Sequence, residues 1–496
     1  MWFVKFISKY RLEATNFMVG GVVLTYELTA TRITAPYIGT TIYVWTSIIG
    51  VILASLAIGY WAGGYLADTR KMPLDVSMLL ILAAACITIT NYSKDWGLAH
   101  ISDTSWPLQL QALCSSVIFF APATIVLGSI SPYLARLRIH KVSSSGHQLG
   151  RISSAGTVGS LFGTFITGFW LFNFVGTRYI LSLLVICLLL TSFLMTVREL
   201  ALERLVLILL AVIALGIPAR VHIFGVIKDV DSPYSRLLVR DVRTKQGNLR
   251  VLQIDSKHWQ SEIFRDGNPN LVFDYTQFFA DSTALAPQTN HFLVIGGGAF
   301  TFPIYLARAY PHAQIDVIEI DNTLKDISAR YFGFKQPQNL HVIEADGRQF
   351  LNQNHQRYGM IFVDAYTSLS PPFQLSTTQT VSRLSSSLSP GGYVVLNLNA
   401  NLTGSGLDYL SSFHDTYQQV FPYVQLYRIT SNLKPTDQNN IILIAAKQPI
   451  TSSVQQLVKS NPKLKQYDNP LIVDGAKGQI FTDDFAPIEQ MVAKQY

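Results

Sequence analysis

Cysteine, acid and charge in general are scarce in this chain, and each shortage excludes something. The three cysteines, Cys86, Cys114 and Cys187, fall within apolar runs, and residues 188–496 contain none. A disulfide framework and a Cys-based metal site are therefore excluded, and no metal is expected. Charged residues make up 14% of the 496, against about 25% in ordinary soluble proteins. The shortage is local. Residues 1–220 carry 15 Lys and Arg but only 8 Asp and Glu, whereas residues 221–496 carry 23 of each. The positive excess thus belongs to the apolar half, where it fits anionic lipid and the bias of basic loops toward the cytoplasm; no nucleic-acid partner is expected. Apolar runs continue after the first, so the N-terminus is not expected to be a removable signal peptide.

What is present in that half is long apolar sequence. Runs near 14–34, 42–66, 74–91, 112–135, 154–175, 177–197 and 203–219 approach the roughly 20 residues that cross a bilayer. The last is the shortest, with an apolar core from Leu205 to Ile217, and reads as a seventh span or an interfacial helix. Gly20, Gly21, Gly59, Gly63, Gly64, Gly156, Gly159 and Gly163 punctuate the runs, which suits close helix packing in lipid. Lys5, Lys9, Arg11, Arg70, Lys71, Arg136, Arg138, Lys141, Arg151, Arg198 and Arg204 place the N-terminus inside. Glu27 and Arg32 share the first span, either as a pair that fixes packing or as a functional site. Gly64 to Lys71 resembles the cytoplasmic loop motif after the second helix of major-facilitator transporters.

From Asp231 onward the pattern changes to short strands and helices. Leu237–Val242 and Asn248–Ile254 read as a hairpin or small antiparallel sheet. Strands are expected at His291–Ile295, Ile315–Ile320, His341–Glu344, Met360–Val363 and Tyr393–Leu398. Helices are expected at Phe300–Tyr310, Leu324–Tyr331 and around Thr378–Leu388. Such alternation predicts a parallel sheet covered on both faces, and Val424–Ile429 with Asn440–Ala446 predicts an antiparallel edge.

Ligands in such sheets bind at the carboxyl ends of the strands. Four strand ends carry the residues for it: Gly296, Gly297 and Gly298; Glu319 and Asp321; Asp346 and Gly347; and Asp364. Glycines let backbone N–H groups approach a ligand, and an acid one strand over accepts hydrogen bonds from ribose hydroxyls. A dinucleotide fingerprint wants a third glycine where Thr301 stands, and Asp346-Gly347 suits an adenine amino group. The set favours an S-adenosyl ligand over NAD.

At these residues the chain resembles the spermidine synthase family of polyamine aminopropyltransferases, and more closely its bacterial group fused behind membrane spans. The likeness covers about 229–446 for the enzyme and much of 14–197 for the spans. It includes Ser232-Pro233-Tyr234, Gln260, Tyr275, the glycine turn, Glu319-Ile320-Asp321, Asp346-Gly347, Asp364-Ala365-Tyr366 and the closing Thr482 to Glu489. The resemblance implies a multi-span α-helical membrane domain (1–220), then an α/β domain. The latter would have a small β subdomain (229–290), a Rossmann-like sheet of the S-adenosylmethionine-methyltransferase type (291–446) and a C-terminal extension (447–496). It implies Glu319 on the ribose, Asp346 on the adenine, Gly296 to Gly298 on the methionine-derived tail, and Tyr234 and Gln260 on the substrate side. Asp364 would be the base, with Tyr275 and Tyr366 orienting the amine. An ammonium with a pKa of about 10 must lose a proton before it attacks a sulfonium-bound carbon, and a carboxylate can accept it.

The departures are Ala299, where the family has an acid that pairs with the aminopropyl tail; Thr367, where it has a second acid; and Ser235, where glutamine is usual. They leave three readings open. The first is a membrane-anchored aminopropyltransferase that uses decarboxylated S-adenosylmethionine and a small amine, with no tightly bound cofactor. The second is an S-adenosylmethionine-dependent methyltransferase. The third is a ligand-binding domain that regulates a membrane transporter. The bilayer is the expected partner, and a homodimer is left open. The expected setting is a multi-pass cell-membrane protein with a cytoplasmic N-terminus. The adenosyl chemistry adds a cytoplasmic catalytic domain, which needs six crossings plus a surface helix rather than seven.

Overall fold

The structure is a computed structural model that describes residues 2–70, 72–139, 145–195, 225–255, 259–286, 288–366, 370–429, 433–450, 471 and 478–495. The chain forms two compact units, Met1–Phe224 with Val230–Arg236, and Gly225–Asp229 with Leu237–Tyr496.

The first unit is helical: α1 (Trp2–Ile38), α2 (Ile42–Thr69), α3 (Pro73–Ser102), α4 (Leu108–Phe119), α5 (Ala121–Arg138), α6 (Ser145–Ile166), α7 (Phe172–Phe174) and α8 (Thr177–Met195). Among the described residues, four helical stretches are long and apolar enough to cross a membrane: Ile42–Thr69, Leu74–Ser102, Ser145–Phe174 and Thr177–Met195. A fifth is formed if α4 and α5 count as one. That pair corrects the continuous span expected at 112–135, because it bends by 52°. Pro122 explains the break. It lacks the N–H needed to continue α4 but is tolerated in the first turn of α5. The expected span 14–34 lies in α1, which is long but is not among the apolar stretches. Asn16, Thr25, Glu27, Thr29 and Arg32 make it polar, and it packs against α5, α6 and α8. The expected span 203–219 lies outside the described residues.

Glycine sets how closely these helices approach. A Cβ on Gly159 would lie 1.9 Å from the Phe17 carbonyl oxygen, and one on Gly63 would lie 2.1 Å from that of Ser129. Gly64, in contrast, faces open space. Glu27 makes no ion pair with Arg32. The two are five residues apart, on different faces of the helix, and Arg32 donates to the Ser232 carbonyl (2.9 Å) and covers the Phe172 ring. Other ties within the unit hold the same segment. Thr177 N–H donates to Asp231 Oδ2 (2.8 Å), and Arg236 donates to Tyr37 Oη (3.0 Å).

The second unit contains two sheets. β1 (Val226–Asp231), β2 (Arg236–Thr244), β3 (Gly247–Ile254) and β4 (Trp259–Phe264) lie in that order, so the expected hairpin is the middle of a four-stranded sheet. The larger sheet has β5 (His291–Ile295), β6 (Gln314–Glu319), β7 (Leu340–Glu344), β8 (Tyr358–Val363), β9 (Leu388–Ala400), β10 (Tyr423–Arg428) and β11 (Asn439–Ala446). Its order is β10-β11-β9-β8-β5-β6-β7, parallel from β9 to β7 and antiparallel at β10 and β11. This is the Rossmann-like mixed sheet with the expected antiparallel edge.

The central strands read as continuous apolar runs because helices cover both faces. Those helices are α9 (Asp274–Ser282), α10 (Thr301–Ala309), α11 (Asn322–Tyr331), α12 (Gly347–Gln353), α13 (Thr378–Ser386) and α14 (Gly404–Gln418). Successive strands leave β5 in opposite directions, to β6 on one side and β8 on the other, which opens a crevice at their carboxyl ends. Near the end of the chain Asp483 accepts from Thr377 Oγ1 (2.6 Å) and pairs with Arg348 (2.7 Å), which fastens the closing motif beside α12 and α13.

Candidate active site at the strand ends

The four expected strand ends are adjacent, in the order β8, β5, β6, β7. After β5 the chain must turn sharply under β8. Gly296 has φ +98°, and a Cβ there would lie 2.3 Å from the Asp364 carbonyl oxygen, so only glycine fits. Gly297 and Gly298 donate their N–H groups to Glu319 Oε2 at 2.8 and 3.3 Å, while Asp321 N–H donates to Glu319 Oε1 at 3.0 Å. Burial pushes the Glu319 carboxyl above its ordinary range, and these backbone donors oppose the shift. The glutamate therefore holds the glycine turn itself, with lone pairs left over for ligand hydroxyls.

Asp321 and Asp346 have a second, local task. Each caps a helix, Asp321 by accepting from Thr323 N–H (3.0 Å) and Asp346 from Gln349 N–H (2.9 Å). Asp321 Oδ2 is buried and has no hydrogen-bond partner. Gly347 lets α12 approach the sheet, since a Cβ would lie 2.8 Å from Ile295 Cγ2.

Asp364 follows β8. Its Oδ2 accepts from Tyr275 Oη (3.0 Å) and its Oδ1 from Asn397 Nδ2 (3.0 Å). Asn397 is oriented in turn because its own Oδ1 accepts from Asn440 Nδ2 (3.1 Å). Burial raises the Asp364 carboxyl above its ordinary range, and the Asn397 and Tyr275 hydrogen bonds pull it down. Tyr275 stays protonated, because burial and the Asp364 charge push its hydroxyl up. Tyr366 Oη donates to the Asn397 carbonyl (2.9 Å). Tyr275, Tyr366 and Asp364 are thus brought together.

Strand β4 adds residues that the sequence reading passed over. Ser261 Oγ accepts the Ala299 N–H (3.0 Å) and abuts Gly298, so β4 leans on the glycine turn. Glu262, next along β4, is buried beside α9. Gln260 is half-buried on the same strand. Ala299 itself is fully buried. Tyr234 is 55% exposed, between β1 and β2. Thr367 lies outside the described residues. Asn397 was also missed. Its signal was a polar residue facing inward within the apolar run of β9.

Comparison with known proteins bears on this arrangement. Residues 273–454 match the family described as "Spermine/spermidine synthase domain". A "Probable polyamine aminopropyl transferase" of Bifidobacterium longum is 36% identical over 138 residues, covering 28% of this chain and 30% of that protein. A "Polyamine aminopropyltransferase" of Vibrio vulnificus is 24% identical over 226 residues, covering 44% and 75% respectively. An "eEF1A lysine and N-terminal methyltransferase homolog" of Drosophila melanogaster is 26% identical over 177 residues, covering 34% and 25%. The chain therefore spans 30% of the first of these relatives.

Proposed function

We propose, from the spermine/spermidine synthase domain that residues 273–454 carry, that the second unit transfers an aminopropyl group from decarboxylated S-adenosylmethionine to an amine. The single observation that carries this reading is Asp364, held between Tyr275 and Asn397 beside the glycine turn. The nitrogen must arrive neutral, so its proton passes to Asp364, whose raised pKa makes it a better acceptor than an ordinary carboxylate. A nitrogen–carbon bond forms, the carbon–sulfur bond breaks, and the electron pair of the latter leaves with the neutral thioether. Tyr275 keeps the base aligned, and Glu319 and Asp346 stand where the ribose and adenine would be held.

Methyl transfer is the second reading. Ala299 carries no charge, so it would repel a tail carboxylate less than an acid at that position would. Incubating the full chain with each donor and a panel of amines separates the readings. Aminopropyl transfer predicts methylthioadenosine from the decarboxylated donor alone; S-adenosylhomocysteine from the ordinary donor would overturn it.

We also propose that the helical unit is embedded in a bilayer. The apolar side chains on its outer faces support this, among them Trp61 at 76% and Phe174 at 78% exposure. Integral embedding predicts that the full chain stays with the membrane fraction through alkaline carbonate washing and leaves it only with detergent. Release by carbonate alone would refute it.

A further inference from the structure

The helical unit, with its Val230–Arg236 segment, holds a charged cluster that the proposed reaction does not use. At its centre is Asp95 of α3. Its Oδ1 accepts from Tyr37 Oη of α1 (2.9 Å) and pairs with Lys94 Nζ (3.3 Å) and Arg236 Nη1 (3.5 Å), while its Oδ2 pairs with Arg178 of α8. Three cations thus share one carboxylate. Asp231 is bonded to the residue before Arg178: its Oδ2 accepts the N–H (2.8 Å) and the hydroxyl (3.0 Å) of Thr177. A further cation, Arg32, donates to the Ser232 and Pro233 carbonyls of the same segment.

Lys94 is the anomaly. Its side chain is 3% exposed, and its ammonium reaches Asp95 alone, so two of its three hydrogens meet no acceptor among the described residues. A buried ammonium short of partners is costly, and Asp95, already shared with two arginines, offsets little of that cost. The partner that fits is an anion with several acceptor oxygens. Arg178, at 18% exposure, gives the cluster an edge toward its surroundings. Exposed aromatic side chains with a polar tip occupy the same level: Tyr92 and Trp96, either side of Lys94 on α3, and Tyr179, next to Arg178 on α8. Tyr and Trp gather where a bilayer meets water, at the level of the lipid head groups.

We propose that Lys94, Arg178 and Arg236 form a binding site for a phosphate group in the helical unit, and that the head group of an anionic lipid supplies it. Basic pockets between membrane helices recognise head groups in this way, since a guanidinium can take two phosphate oxygens and a lysine adds a point charge. Tyr37, which accepts from Arg236 (3.0 Å) and donates to Asp95, helps to hold the cations in place before the ligand arrives. Lipid as the source rests on the bilayer reading above; the phosphate site itself does not.

Thermal melting of the full chain in an uncharged detergent tests this with dihexanoylphosphatidylglycerol, dihexanoylphosphatidylcholine and inorganic phosphate, each against sodium chloride of equal ionic strength. Phosphatidylglycerol should raise the melting temperature most, with an affinity about tenfold or more above that of the zwitterionic lipid. Lys94→Met should abolish that preference. Without added anion it should melt no lower than the parent, because Asp95 keeps two arginines and a buried excess charge is gone. Stabilisation by inorganic phosphate but not by phosphatidylglycerol would keep the site and overturn lipid as its source. No stabilisation by any of the three, or an undiminished preference in Lys94→Met, overturns the site. If Lys94→Met melts lower or does not fold, Lys94 is structural and Arg178→Gln decides: an unchanged lipid preference there also overturns the site. Carbonate washing judges the bilayer reading separately.

Discussion

The helical unit and the α/β unit spend their apolar residues in opposite directions. In the second, β5, β8 and β9 bury theirs between helices and confine polar groups to the strand ends. Water drives that fold, and the rim is where its backbone groups remain available. In the first, large aromatic side chains point outward, and the helices meet through glycine and backbone carbonyls. Contact of that kind gains from close packing rather than from hiding apolar surface, as expected where the surroundings are themselves apolar. One chain thus carries two solutions to packing, and the cluster of glycines and acids at the strand ends belongs to the second.

The contrast is open to attack at several points. The largest effect is expected at the base: Asp364→Asn should lower kcat by about 10²- to 10⁴-fold while leaving methylthioadenosine binding measurable by calorimetry. A smaller loss would mean that the proton leaves by another route. Next comes Gly159→Leu in the helical unit, where the added side chain meets the Phe17 carbonyl. It should destabilise by about 1–3 kcal/mol or more, read as a lower melting temperature in detergent. Gly64→Leu, facing open space, should be silent, and equal effects would break the account of glycine contacts.

The mildest effect belongs to Glu262. Its carboxyl is raised from 4.5 to about 7 in the folded chain, so the native state binds that proton more tightly than the unfolded state does. Its contribution to stability is complete below 4.5 and is lost as pH rises through about 7. Glu262→Gln should therefore flatten the pH dependence of melting across that window, by about 2–4 °C. An unchanged slope would show that the group titrates normally.

Much of the second unit was legible because periodicity and punctuation agreed. His291–Ile295 is a strand with the expected bounds, and Gly296, Glu319, Asp346 and Asp364 all end adjacent strands. What escaped notice had no local signal. Ser261 sits in an ordinary-looking edge strand, and its contact with the glycine turn arises only when two sheets meet. Asp346 was read as an adenine contact, and its capping of α12 was overlooked although an acid before a helix is a familiar start. In the helical unit Pro122 stood in view inside an expected span, but apolar length outweighed it.

Asn440 belongs to β11, part of the antiparallel hairpin at the border of the sheet, yet it sets which way the Asn397 amide presents itself to Asp364. The proton affinity of the buried Asp364 carboxylate is thereby governed in part from a ribbon at the border of the sheet. Variation in that ribbon offers evolution a means of adjusting proton affinity there while every residue at the strand ends stays the same.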